Sequence, residues 1–192
     1  MALTLSAMPA LGAPAPDFTL ADVATGREVS LATFADCPAL LVMFICRHCP
    51  YVKHIETELA RLANEYVAKG VGVIAISSND AAAYPDDAPD SLKAMARELG
   101  FQFPYAYDET QEVAKAFQAA CTPDFFVYDR ERKLVYRGQM DDSRPGNGRP
   151  VTGDDLRRAL DAALAGEPPL ADQKPSVGCN IKWRPGNAPA YA

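Results

Sequence analysis

The stretch "LLVMFICRHCPYVKHIETELARL", residues 41–63, decides the fold. An apolar run stops at Cys46; Cys49, Pro50 and a helical pattern follow. Residues 39–45, "ALLVMFI", are apolar at every position, as a central parallel strand covered on both faces must be. After Pro50, Val52, Ile55, Leu59, Leu62 and Tyr66 recur three and four apart until Gly70, which predicts a helix with one buried side. A helix that begins just after Cys46 aims its unpaired first N–H groups at that sulfur, and its dipole adds partial positive charge there. Both favour the thiolate, which is the nucleophile. Cys49 lies three residues on, returns to the same side and sits within disulfide reach. Cys46 is therefore expected as the exposed, attacking thiol and Cys49 as the shielded one that resolves the mixed disulfide. Pro50 is compatible with a first helical turn. Arg47 and His48 are expected to tune the site, each able to bring positive charge or an N–H near Cys46. That would stabilise the reduced form and make the couple more oxidising. For Arg47 the alternative is a side chain that simply points into solvent.

The remainder of the chain alternates strand and helix. "VGVIAIS" (71–77) reads as a second buried strand, followed by the polar loop "SNDAAAYPDDAPD". Asp90 is placed to cap a helix carrying Leu92, Met95 and Leu99, and "FPYAYD" reads as a short strand. Asp108 and Gln111 have capping-box spacing before "ETQEVAKAF". "PDFFVYD" and "KLVYRGQ" form an expected hairpin. Thr152 is expected to cap a last helix with Leu156, Leu160 and Leu164, closed by Gly166. This order predicts an α/β three-layer sandwich in residues 1–166, with 1–16 as an N-terminal arm and 167–192 as a C-terminal tail packed on the domain or on a partner subunit. In such sheets chemistry sits where strands end and helices begin, which is where the two cysteines lie.

Composition narrows the function. A chain of 192 residues can bury roughly 70% of its unfolded surface in one core. A net charge of −6 disfavours nucleic acid as a partner. No apolar run approaches the ~20 residues of a membrane span. "MALTLSAMPALGAPAP" carries no Lys or Arg before Arg27, so it reads as an arm of a cytoplasmic protein rather than a secretory signal. Five cysteines, at 37, 46, 49, 121 and 179, are not the framework of a disulfide-stapled module; they suit working thiols beside buried ones. One cysteine pair is half of what a zinc knuckle needs, so no metal and no cofactor is expected.

"CTPDFF", residues 121–126, supplies the second half of the site. A cis bond at Pro123 would set the Thr122 backbone opposite the two cysteines, offering strand-like hydrogen bonds to an extended partner peptide. The alternative is a trans proline that opens an edge strand. Cys121 and Cys179 remain as auxiliary thiols. Each is either a small buried hydrophobe or a further redox group, Cys179 in "PSVGCNIKW" being able to accept the disulfide from Cys46–Cys49.

The order strand, "CRHCP", helix, strand, "CTPDFF", hairpin, helix resembles the thioredoxin fold. "APDFTLADVATGREVSL" resembles the opening of the redoxin group, the alkyl hydroperoxide reductase/thiol-specific antioxidant proteins. The helix and strand at 90–107 match that group's central insertion. "HCPYVKHI", "SNDAAAYPDDAPDSL", "FPYAYDETQEVAKAF", "TPDFFVYD", "VYRGQMDDSRPGN" and "PSVGCNIKW" are similar to its peroxiredoxin-like branch with a CxxC motif. The resemblance implies a thiol–disulfide oxidoreductase acting on protein or small disulfides, served by a thioredoxin- or glutathione-type reductant, as monomer or homodimer. The alternative is a thiol peroxidase using Cys46 on peroxide, and a third reading is a metal-binding module. The group's peroxidases place Thr or Ser three residues before the reactive cysteine and Pro seven before. Here those positions are Met43 and Ala39, which argues against the peroxidase. Thioredoxin's buried Asp is replaced by Leu40, leaving the proton acceptor for Cys49 unnamed.

Overall fold

The computed structural model describes residues 3–191. Its strands are β1 (Leu3–Leu5), β2 (Thr19–Ala21), β3 (Glu28–Ser30), β4 (Leu40–Phe44), β5 (Gly72–Ser77), β6 (Tyr105–Tyr107), β7 (Cys121–Thr122), β8 (Asp124–Tyr128), β9 (Leu134–Gly138) and β10 (Val177–Asn180). Its α-helices are α1 (Pro50–Ala68), α2 (Pro89–Glu98), α3 (Glu112–Phe117) and α4 (Asp154–Ala165). The central sheet runs β6-β5-β4-β8-β9, with β4–β5 and β5–β6 parallel and the β8–β9 hairpin antiparallel.

The apolar run becomes β4, buried at every position. Side chains alternate across a strand. Leu41 and Met43 therefore join the core made with α1, α2 and α4, while Leu40, Val42 and Phe44 join the one made with α3 and the N-terminal segments. This is the three-layer arrangement expected of the thioredoxin-like fold. The central insertion is α2 followed by β6, which extends the sheet at its edge beside β5. No helix of the structure is long and apolar enough to cross a membrane among the described residues.

Three helix starts differ from the sequence pattern. Asp90 is the second residue of α2, not its cap, because Pro89 takes the first helical position, which suits its fixed φ. The cap of α4 is Gly153, with Thr152 Oγ1 accepting the Asp154 N–H at 3.3 Å. Asp108 does reach α3, accepting the Ala114 N–H at 2.9 Å, but Gln111 turns its amide to the Ser78 and Lys182 carbonyls instead of returning the bond.

The two ends of the chain meet in a second sheet of order β1-β10-β7. β10 pairs antiparallel with β1 (Leu3↔Cys179) and with β7 (Cys179↔Thr122). Beyond it, Ile181 is buried and Trp183 packs against the α3-side core. The tail is also stitched to the polar loop, the Lys182 N–H reaching Asn79 Oδ1 at 2.8 Å and the Asp80 N–H reaching the Lys182 carbonyl at 2.8 Å.

Candidate active site

Helix α1 begins three residues later than expected. Pro50 is its first residue and Cys49 its N-cap, so the Val52 N–H of the first turn points at Cys49 rather than Cys46. Cys46 lies in the connection between β4 and α1. Neither thiol is exposed, each having 0% of its surface accessible, which corrects the expectation of an exposed Cys46.

Both sulfurs meet the turn before β8. The Thr122–Pro123 peptide is cis. Cys46 Sγ lies 3.4 Å from Thr122 Oγ1, and Cys49 Sγ lies 3.2 Å from the Thr122 carbonyl oxygen. On its other side Cys49 Sγ is 2.9 Å from Cys179 Sγ. The Thr122 backbone is not open to a partner peptide as expected: β10 already pairs with it.

Hydrogen bonds and burial act on the three thiols in opposite directions. The Cys46 thiol donates a hydrogen bond to the Cys49 sulfur, and Cys179, the Val52 N–H and Thr122 add to it. Against burial, these donors lower Cys49 from 9.0 to about 4. The neighbouring carbonyl favours a proton on Cys49, but several donors outweigh one acceptor. The same hydrogen bond, then burial and the Asp87 charge, push Cys46 well up. Burial first, and then the bond to Cys49, push Cys179 up to about 12. Cys46 and Cys49 interact this strongly, so the two thiols titrate as a pair.

Asp87 was not singled out in the sequence, yet it organises the segment between the cysteines. Fully buried, it accepts the backbone N–H of Arg47 at 2.8 Å and of His48 at 3.2 Å, His48 Nδ1 at 2.5 Å and Asn79 Nδ2 at 2.8 Å. It stands forty residues from the cysteines among the acids of the loop, where no periodicity marks one acid above another. Tyr84 stacks on the His48 ring at 5.3 Å between centroids and covers that side. His48 Nδ1 is 3.9 Å from Cys46 Sγ, near enough to tune it through the Asp87 pair. Arg47 stays part-exposed, with 30% of its side chain accessible, and its guanidinium makes no hydrogen bond to the Cys46 sulfur among the described residues. Its guanidinium runs to the Ser91 carbonyl at 2.7 Å and to Glu98, tying the loop to α2. Cys121 is buried behind the turn, 3.7 Å from the Pro123 carbonyl, and burial raises its thiol well up.

Cys46 Sγ, His48 Nδ1 and an Asp87 oxygen lie within 4.8 Å of one another. These are zinc-type donors, but three rather than four, and the Asp87 oxygens already accept four hydrogen bonds. A cation there would have to displace them.

The model of the AhpC/TSA family matches residues 11–137. The chain belongs to the AhpC/TSA family. An uncharacterized conserved protein from Geobacillus kaustophilus is 57% identical over 97% of this chain and 98% of its own, with a TM-score of 0.94. A hypothetical protein from Sinorhizobium meliloti is 52% identical over 95% of this chain and 100% of its own, with a TM-score of 0.93. The thioredoxin domain of a thiol–disulfide oxidoreductase from Bacteroides vulgatus is 22% identical over 82% of this chain and 99% of its own (TM-score 0.62), which speaks for the fold alone. No curated protein matches the chain. Met43 is a core residue of β4 and offers no hydroxyl to Cys46, and Ala39, buried just before the strand, stands where the pattern has proline.

Proposed function

We propose that this AhpC/TSA protein is a cytoplasmic thiol–disulfide oxidoreductase that cycles Cys46 and Cys49 between dithiol and disulfide, on protein or small disulfides. The observation that carries this reading is the meeting of both sulfurs at one residue, Thr122.

The thiolate belongs to Cys49, so Cys49 makes the first attack. Its sulfur bonds to one sulfur of the incoming disulfide, and the second leaves as thiolate. That thiolate takes the proton from Cys46. The Cys46 thiolate then attacks Cys49 Sγ, closes the Cys46–Cys49 bridge and releases the remaining substrate thiolate, which takes a proton from water. Two electrons pass from the protein to the substrate. A thioredoxin- or glutathione-type dithiol reverses the sequence. Opening of the Tyr84 loop or of the tail must precede attack, since neither sulfur is exposed.

Family membership favours a second reading, reduction of peroxide by Cys46. The missing hydroxyl at Met43 and missing proline at Ala39 speak against it. Stopped-flow oxidation of the reduced protein separates the two. A low-molecular-weight disulfide should oxidise it faster than hydrogen peroxide does; the reverse order overturns the oxidoreductase reading. Replacing either Cys46 or Cys49 by Ser should abolish dithiol turnover.

A further inference from the structure

Three sulfurs meet at this site, and the cycle above uses two. Cys179 Sγ lies 2.9 Å from Cys49 Sγ, closer than two sulfurs in ordinary packing contact. Of the three, Cys179 alone has accessible surface, 3% against 0% for the others. Its position is built by backbone. β10 lies between β1 and β7, with Cys179 opposite Thr122, the residue both other sulfurs touch. Gly178 makes the approach possible: a Cβ there would stand 2.0 Å from the Thr122 carbonyl oxygen. A cysteine that only filled space would need none of this registration.

We propose that Cys179 is a third redox thiol that exchanges with Cys49, so that Cys49 bridges alternately to Cys46 and to Cys179. The inference rests on the oxidoreductase reading of the Cys46/Cys49 pair. In the exchange, the Cys179 sulfur attacks Cys49 Sγ of the Cys46–Cys49 disulfide. The Cys49–Cys179 bond forms and the Cys46–Cys49 bond breaks. The proton of Cys179 ends on Cys46, and no electrons are gained or lost. The disulfide thereby moves from the innermost sulfurs to the tail. A Cys49–Cys179 bridge also pins β10 over the Thr122 edge, where an extended substrate would otherwise lie, whereas a Cys46–Cys49 bridge leaves the tail free to lift. The protein thus has two oxidised forms, one closed and one able to open.

The test oxidises Cys46→Ala and Cys46→Ser proteins with glutathione disulfide and maps their disulfides by mass spectrometry, with circular dichroism confirming the fold. The expected product is an internal Cys49–Cys179 bridge, with Cys121 still reduced. In the Cys46→Ala/Cys179→Ala protein the bridge is lost and Cys49 retains glutathione. If Cys49 keeps glutathione while Cys179 stays reduced in whichever single variant folds, the relay is wrong. Wild type serves as the separate control. Failure to form Cys46–Cys49 in the same buffer sinks the oxidoreductase reading, and its formation alongside a negative result in the variants sinks only the relay.

Discussion

Among single residues, the proposed thiolate is the sulfur that caps α1. Periodicity located the thiols but put the helix start at Cys46. The actual start was illegible because Pro50 can occupy several positions in a first turn, and only the fold makes Cys49 the cap. The reduced protein should therefore show a thiolate absorbance that titrates below the ordinary cysteine range, moves to higher pH in Cys46→Ser, which removes the first donor to Cys49, and disappears in Cys49→Ser. Absorbance that instead follows Cys46 would restore the original order of attack. His48 acts through its bond to Asp87. In His48→Ala the carboxylate faces Cys46 with one donor fewer, the reduced form is less stable, and the couple becomes more reducing by about 30 mV for each ~1.4 kcal/mol lost. An unchanged potential in a glutathione buffer rejects this. Asp124 follows a different logic. It is fully buried, burial holds its carboxyl well above the ordinary 3.8, and Oδ2 has no hydrogen-bond partner among the described residues. The folded protein then binds a proton that the unfolded chain releases. Its contribution is complete below pH 3.8 and is lost as pH rises from there through the raised folded value. Asp124→Asn should flatten the fall of stability between acidic and neutral pH, measured as the denaturation midpoint across pH. A slope identical to wild type would count against it.

At the scale of elements, the regular pieces were legible because each carries a period. β4 is apolar on both faces, α1 repeats every three and four residues, and the β8–β9 hairpin is bounded by polar turns. The loop of residues 78–88 carries no period, so its contribution was invisible. Its Asp87 holds two backbone amides of the Cys46–Cys49 connection together with His48 and Asn79. Removing a buried charge with such partners costs about 3–5 kcal/mol. Asp87→Ala should lose about that much in chemical denaturation; a loss under ~1 kcal/mol would show that the connection holds its shape unaided. β10 and β7 are four and two residues long, too short for any pattern, so their pairing could not be read. Gly178 shows how tight that pairing is. Gly178→Ala forces its methyl into the Thr122 carbonyl, a backbone atom that cannot swing aside, and should cost roughly 1–3 kcal/mol. Calorimetry with no change in melting temperature would mean that the strand tolerates a shift.

For the whole molecule, the sandwich and the edge that carries Cys46 and Cys49 could be derived from order and spacing, while the joining of the two chain ends could not. The tail was expected to pack on the domain or on a partner subunit, with no sign that it would join the arm, and the structure makes the two one sheet with Thr122 at its border. That sheet brings a consequence for observation. The single tryptophan of the chain, Trp183, stands four residues past Cys179 and rests against the α3-side core. Its emission is therefore an intrinsic beacon of whether the tail is seated. Lifting the tail exposes the indole and shifts its fluorescence to longer wavelength, while seating the tail restores the shorter-wavelength band, so one unlabelled spectrum can follow the tail in real time.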